Sequence, residues 1–189
     1  MKMLDVGAKK RTDRVAVARG RLSLSPSTAA LVRGGEVEKG DVVAAARLAG
    51  IMAAKRTPDL IPLCHPIALS GVEVEVSVQE TSLTATATVR TVDRTGVEME
   101  ALSAVAAACL TAYDMLKRYE RGMRIEALEL IEKRGGRSGL WLRDPRGPAD
   151  RPAGRRSRSP RTPAARPPRR ARPARAGRRP GAGRAGPRR

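Results

Sequence analysis

The chain has 189 residues, a net charge of +19 and two cysteines, Cys64 and Cys109. The length suits one domain plus an appended segment, and two cysteines make no disulfide framework. The longest apolar run, residues 104–110, is too short to cross a bilayer, and residues 1–10 lack the apolar core of a signal peptide. We therefore expect a cytoplasmic protein without a membrane role.

The first predicted element is a strand over residues 14–24. Apolar and polar side chains alternate along it. The parity of the alternation changes at Arg19-Gly20. This change predicts a strand that carries a bulge or bend at that point.

Two helices should follow. Residues 25–27, Ser-Pro-Ser, open a short helix that ends near residues 34–35, which are both glycine. Asp41 can cap a longer helix over residues 42–56. Thr57-Pro58 should stop that helix, because a residue before proline disfavours helical backbone.

The second half of the body predicts a hairpin, a long helix and a last strand. Valines at alternate positions of residues 72–78, and apolar residues at alternate positions of residues 83–89, indicate the hairpin. Residues 97–121 are Ala-rich and lack Gly and Pro, so we expect one helix there, closed by Gly122. Residues 125–131 resemble a strand.

This order of elements favours an α+β domain. It is the ferredoxin-like split βαβ arrangement, an antiparallel sheet with helices packed on one face. Phe is absent, and Trp141, Tyr113 and Tyr119 are the only aromatic rings. A core of Val, Leu and Ala is thin, so burial between subunits would help to stabilise it.

The only histidine, His65, lies between Pro62 and Pro66. The prolines stiffen the loop, which favours a functional imidazole over an ordinary surface or core histidine. Cys64 precedes it, but no Cys-x-x-Cys or His-x-His pair accompanies these two residues, so we expect no bound metal. The single histidine also argues against Cys64 as an activated nucleophile.

The long helix carries carboxylates at both ends. Glu98 and Glu100 lie in its first turn, where they serve a binding pocket or simply complement the helix dipole. Asp114 and Lys117 share a face, as in many surface ion pairs, but such a pair can also move protons. Glu100 and Asp114 lie about 21 Å apart along the helix. If both act in one reaction, more than one chain must build the site, which predicts a homo-oligomer.

Cations are scattered through the body. Scattered cations are ordinary surface residues unless several converge on a polyphosphate, and no P-loop or dinucleotide fingerprint is present. The cations considered are Lys9, Arg14, Lys39, Lys55, Lys133 and Arg137.

Seven segments together resemble the cyclic pyranopterin monophosphate synthases, the molybdenum cofactor biosynthesis protein C family. They include Asp59-Leu-Ile-Pro-Leu-Cys-His-Pro66 and Thr95-Gly-Val-Glu-Met-Glu-Ala-Leu102. The other segments are residues 39–42, 46–51, 53–57, 110–117 and 132–139. The resemblance covers residues 4–143 in order.

This resemblance implies a lyase that converts 3′,8-cyclo-7,8-dihydroguanosine 5′-triphosphate to cyclic pyranopterin monophosphate and pyrophosphate. It also implies a hexamer built as a trimer of dimers, with residues 1–143 as the catalytic domain. No redox change occurs, so no cofactor is implied. By position, Asp114 is the principal acid/base and Lys39 and Lys117 are the catalytic cations. The implied substrate-binding residues are Leu63, Cys64, His65, Met99 and Glu100, with Glu98, Lys9, Arg14 and Lys133 as further candidates.

The chain departs from the family pattern at single positions and at its end. Arg137 stands where the family usually has lysine; it keeps the charge but cannot carry a proton. Gly7 replaces a serine and Leu116 a cysteine. None of these positions has an assigned catalytic role.

Residues 144–189 have no counterpart in the family pattern. They contain 16 Arg, 10 Pro, 9 Ala and 6 Gly but no Val, Ile, Leu, Met or aromatic residue, so we expect disorder. With two Asp they carry +14, which leaves +5 for residues 1–143. An alternative function is non-specific nucleic-acid binding through this segment, although it offers no aromatic ring for stacking. Its composition also fits GC-rich DNA translated out of frame.

Overall fold

The computed structural model of the chain describes residues 1–144. The predictions for the Arg/Pro-rich segment therefore lie, from residue 145 onward, outside the described residues. The elements are β1 (Thr12–Ser23), α1 (Pro26–Gly34), α2 (Val42–Lys55), α3 (Thr57–Leu60), β2 (Gly71–Val78), β3 (Ser82–Asp93), α4 (Glu98–Leu116), β4 (Ile125–Arg134) and β5 (Trp141–Leu142).

The strands form one antiparallel sheet in the order β2-β3-β1-β4-β5. Helix α4 packs on β1 and β3, and α2 packs beside α4 and on β2. The predicted α+β, ferredoxin-like arrangement of helices on an antiparallel sheet is confirmed. Helix α4 packs on the neighbouring strands β1 and β3, and its first turn follows closely after the end of β3.

The bulge predicted in β1 is wrong in position. The pairing of β1 with β3 is regular from Thr12 to Ser23, through Arg19 and Gly20. The register shifts lie instead between β1 and β4, where two residues of β4 oppose one of β1. Core positions of β1 near α4 are small alanines, whereas Val15 and Val17 are half-buried on the other face. The small core side chains therefore hid the true parity.

Two helix ends also differ from the prediction. Helix α4 ends at Leu116 rather than near residue 121, and the N–H of Tyr119 donates to the Leu116 carbonyl oxygen at 2.8 Å in a tighter turn that follows. This turn places Met123 in the core, 4% exposed. Thr57-Pro58 does end α2, but it also begins the short helix α3, since proline suits the first helical turn.

The last strand is longer than predicted and has an unpredicted partner. Strand β4 continues to Arg134, and the two-residue strand β5 pairs with it through Glu132 and Lys133. A two-residue strand is too short for an alternating pattern to reveal it.

Helix α4 lies unusually close to its neighbours. A Cβ on Gly20 of β1 would lie 2.9 Å from Cys109 Sγ, and one on Gly50 of α2 would lie 3.0 Å from the Ala104 carbonyl oxygen. By length and composition α4 could cross a membrane, but half of that window is buried in the protein. It is therefore a core helix, and its apolar length is explained by the sheet and α2.

Candidate active site

The C-terminal end of α4 brings together the three predicted catalytic residues. Lys117 Nζ lies 2.6 Å from Asp114 Oδ1, and Lys39 Nζ lies 2.7 Å from Asp114 Oδ2. Lys39 Nζ also donates to the Asp114 carbonyl oxygen at 3.0 Å. One carboxylate thus holds two ammonium groups from different parts of the chain.

Local structure explains how Lys39 reaches α4. It lies in the turn between α1 and α2, where Gly40 has a positive φ of 100° and Asp41 caps α2 by accepting from the Ala44 N–H at 2.9 Å. Glu38 ties the same turn to the end of α4, because its N–H donates to Tyr119 Oη at 3.0 Å and its carboxylate pairs with Arg118. The turn is therefore fastened on both sides of Lys39.

Electrostatics keep Asp114 ionised. Hydrogen bonds from Lys117 and Lys39 lower the pKa of Asp114 to about 2. The side chain is 56% exposed, so the cause is its cationic neighbours and not burial. As long as both ammonium groups remain, Asp114 is a weak base. A cavity of about 440 Å³ adjoins it, lined by Lys39, Tyr113, Asp114, Lys117, Arg118 and Arg121.

The N-terminal end of α4 buries a carboxyl group. Glu100 is 2% exposed, and Cys64 Sγ donates to its Oε1 at 3.6 Å. Within residues 1–144, its Oε2 has no hydrogen-bond partner. Burial raises the pKa of Glu100. Burial, and then the charge of Glu100, also raise the pKa of Cys64 to about 11, so Cys64 is a thiol rather than a reactive thiolate.

A cavity of about 480 Å³ opens at this end, and we call it the His65 cavity. His65 Nε2 lies 2.8 Å from the Leu4 carbonyl oxygen. The predicted residues that line the cavity are Lys9, Leu63, Cys64, His65, Glu98 and Met99. Predicted residues of two separate motifs therefore share one concave surface, whereas the buried Glu100 is not among its lining residues.

A second cavity of about 760 Å³ is strongly basic, and we call it the basic cavity. It shares Lys9 and Glu98 with the His65 cavity. Lys133 Nζ lies 2.7 Å from Glu98 Oε1, the one carboxylate among its lining residues. The cations that line it are Lys9, Lys10, Arg14, Arg94, Lys133 and Arg137. This excess of cations over carboxylate suits an anionic ligand.

Arg14 has a structural task as well as a place in the basic cavity. Its Nε donates to the Asp93 carbonyl oxygen at 2.8 Å, and its Nη2 donates to the Arg94 carbonyl oxygen at 3.0 Å. A Cβ on Gly136, which has a φ of 69°, would collide with the Arg14 guanidinium. The glycine thus leaves room for the arginine that holds the turn between β3 and α4.

Several residues around these cavities were not among the predicted site residues. Arg118 and Arg121 lie four and seven positions after Asp114, and the helix predicted over residues 97–121 would have placed them on its face, although α4 ends at Leu116. Arg137 follows the glycine pair and was noted only as a cation. Lys10 and Arg94 carried no signal, because nothing local distinguishes them from surface cations.

The two groups of residues do not meet within one chain. Glu100 and Asp114 are 14 positions apart on one continuous helix, about 21 Å along its axis. Each group has its own cavity. Within residues 1–144, no group of three or more His, Cys, Asp or Glu side chains could hold a metal ion.

Comparisons with known proteins agree on one family. The profile of the MoaC family matches residues 3–136. The chain is 63% identical over 145 residues to a cyclic pyranopterin monophosphate synthase of Thermomicrobium roseum, covering 76% of this chain and 87% of that protein. It is 54% identical over 140 residues to the protein of that name from Novosphingobium aromaticivorans, covering 74% and 89%. It is 54% identical over 142 residues to the protein of that name from Streptomyces coelicolor, covering 75% of this chain and 84% of that protein.

Proposed function

The chain belongs to the MoaC family, and from this membership we propose a composite active site in which Asp114, Lys39 and Lys117 of one subunit face the His65 and basic cavities of another. Its reaction is cyclic pyranopterin monophosphate synthesis in molybdenum cofactor biosynthesis. The motif resemblance to this family is confirmed. The substrate is a cyclised guanosine triphosphate derivative, and pyrophosphate is released.

The chemistry requires proton transfers and control of phosphate charge. The imidazole ring of guanine opens, a pyrazine ring closes, and a ribose-derived hydroxyl attacks the α-phosphorus. Cations that contact the departing pyrophosphate stabilise the charge that develops on it. In our proposal the basic cavity supplies these cations, with Lys9, Arg14 and Lys133 among them.

Asp114 and its lysines have complementary roles in this proposal. Asp114 first holds Lys39 and Lys117 in place, because its carboxylate accepts from both. When an anionic substrate draws one ammonium group away, Asp114 loses a partner that lowers its pKa and becomes a stronger base. Proton transfer by Asp114 is thereby linked to substrate binding.

The axial separation along α4 is the observation that carries this proposal. Glu98, which lines both cavities at the other end of the helix, lies 16 positions or about 24 Å from Asp114, so one small substrate cannot contact both within one chain. A second copy of the chain in antiparallel orientation would bring opposite ends of two helices together, as symmetric dimers do. We accordingly propose a cytoplasmic homohexamer, a trimer of dimers, that needs no cofactor.

Mixed subunits test the composite site. Asp114→Asn and Lys133→Ala each damage a different half, so each variant alone should be nearly inactive. Co-refolding equal amounts should restore about a quarter of wild-type pyrophosphate release, because half of the random pairs are hybrids and each hybrid holds one intact site. If both halves came from one chain, mixing would restore nothing.

The matched control pairs two variants from the same half. Asp114→Asn mixed with Lys117→Ala leaves every composite site with a damaged half, so this mixture should stay inactive. Native mass spectrometry of differently tagged subunits shows in each case that hybrids have formed. Recovery in the control mixture would contradict the composite site.

The arginine-rich segment supports only a secondary property. Residues 144–189 carry +14 and no aromatic residue. Nucleic-acid binding through such a segment is electrostatic and does not read base sequence.

A further inference from the structure

The first ten residues lie across the candidate site without forming a helix or strand. They are folded mainly on themselves. The Gly7 N–H donates to Asp5 Oδ1 at 2.7 Å, and the Lys9 N–H donates to the Val6 carbonyl oxygen at 3.0 Å. We call residues 1–10 the N-terminal arm.

One hydrogen bond joins this arm to the domain. Among the hydrogen bonds of residues 1–144, only that between His65 Nε2 and the Leu4 carbonyl oxygen links the arm to another part of the chain. A carbonyl oxygen can only accept, so His65 Nε2 must carry the hydrogen. His65 therefore has a definite partner, with a hydrogen on Nε2 that points to the Leu4 carbonyl oxygen.

The arm contributes to both cavities. Lys2, Leu4 and Val6 line the His65 cavity, Lys10 lines the basic cavity, and Lys9 lines both. Within the described residues, none of its three lysines forms an ion pair. Uncompensated ammonium groups beside a cavity attract an anionic ligand.

We propose that the N-terminal arm is a basic flap over the substrate's phosphates and that His65 is the positioning residue that docks it. His65 then acts through the Leu4 carbonyl, which sets the position of Lys9, and not by transferring a proton to the substrate. The idea rests on the proposed function for the identity of the ligand. The family resemblance gives Lys9 and His65 only as separate candidates, and the proposal adds a shared role for the whole segment.

Limited trypsin digestion tests the docking without substrate. Cleavage after Lys9 and Lys10 requires the arm to leave the domain. Loss of one hydrogen bond in His65→Ala should speed this cleavage roughly 3- to 10-fold. His65→Gln is the matched control, because its side-chain amide nitrogen can donate near the position of Nε2, and it should cleave at close to the wild-type rate. Equal rates in wild type and His65→Ala would overturn the proposal.

Kinetics test the link to the site. Deleting residues 2–8 and replacing His65 with Ala should each raise KM for the cyclised triphosphate, with a smaller effect on kcat. The double variant should be no worse than the poorer single variant, because both changes remove the same contact. Multiplied effects would show that His65 acts independently of the arm. A wild-type protein that released no pyrophosphate would refute the proposed function but leave the digestion result intact.

Discussion

The two ends of α4 treat a carboxyl group in opposite ways. Asp114 at one end is exposed, and its pKa is lowered to about 2 by Lys117 and Lys39. Glu100 at the other end is 2% exposed, and burial raises its pKa. Ammonium neighbours favour the charged form, whereas burial disfavours it. The surroundings of each carboxyl group, and not its residue type, therefore lower the pKa at one end of α4 and raise it at the other.

The largest effect should come from removing the charge at the exposed end. Asp114→Asn releases both lysines, and we expect pyrophosphate release to fall about 100- to 1,000-fold. The midpoint of thermal unfolding should fall only slightly, because ion pairs on an exposed side chain add little stability. Glu75→Gln, an exposed carboxylate on β2, is the control and should keep full activity. An Asp114→Asn variant with wild-type activity would show that the charge of Asp114 is not needed for the reaction.

The ion pairs of Asp114 stabilise the folded protein only within a defined pH range. The pKa of Asp114 is lower in the folded protein, about 2, than its ordinary 3.8. Their stabilisation is therefore fully present above pH 3.8 and is lost as the pH falls through about 2.

A second prediction concerns the proton held at the buried end. A pKa of about 11 for Cys64, against an ordinary 9.0, lowers its thiolate fraction at pH 8 about 100-fold. Iodoacetamide should label Cys64 more slowly than a short peptide of the same sequence by about that factor. Mass spectrometry of the peptides separates it from Cys109, which is fully buried and should react only on unfolding. If Cys64 were labelled as fast as the peptide, its pKa would not be raised in the folded protein.

The smallest effect should come from Glu100→Gln and should depend on pH. The folded pKa of Glu100 is raised above the ordinary 4.5, so the folded state keeps a proton that the unfolded state loses. The free energy of unfolding of the wild type should therefore decrease as the pH rises from 4.5 through the folded pKa. The Gln variant should lack this decrease and lie within about 1 kcal/mol of wild type at pH 4.

Urea denaturation at a series of pH values from 4 to 8 measures this difference. Glu75→Gln again serves as the control and should follow the wild-type decrease. Identical pH dependence in wild type and Glu100→Gln would show that burial does not raise the pKa of Glu100.

The regular elements could be predicted from the sequence, because alternation and helical spacing are local signals. Strand β1 shows where such signals fail: Ala16 and Ala18 face the core, but their small size gave Val15 and Val17 the appearance of core residues. The predicted end of α4 was wrong for a different reason. After the turn that follows Leu116, Met123 packs into the core, and no helix period marks that position in the sequence.

The contacts of the candidate site could be predicted where its residues lie in one motif. They could not be predicted where only the fold brings distant residues together. Cys64 and His65 are adjacent in sequence, and Asp114 and Lys117 share a helix face. The approach of Lys39 to Asp114 entered through the family resemblance, since the two lie 75 positions apart. The contact of Leu4 with His65 had no signal, because a backbone carbonyl has no side-chain pattern.

Helix α4 packs closely against Gly20 and Gly50, and its length fixes the distance between the groups at its two ends. Because atoms of α4 approach both glycines too closely to leave room for a Cβ, the helix packs against β1 and α2 at short range. Inserting one residue in its middle would turn Asp114 by about 100° about the axis relative to Glu100. The number of residues in α4 therefore sets not only a distance but also a direction, and both must suit the neighbouring subunit in our proposal.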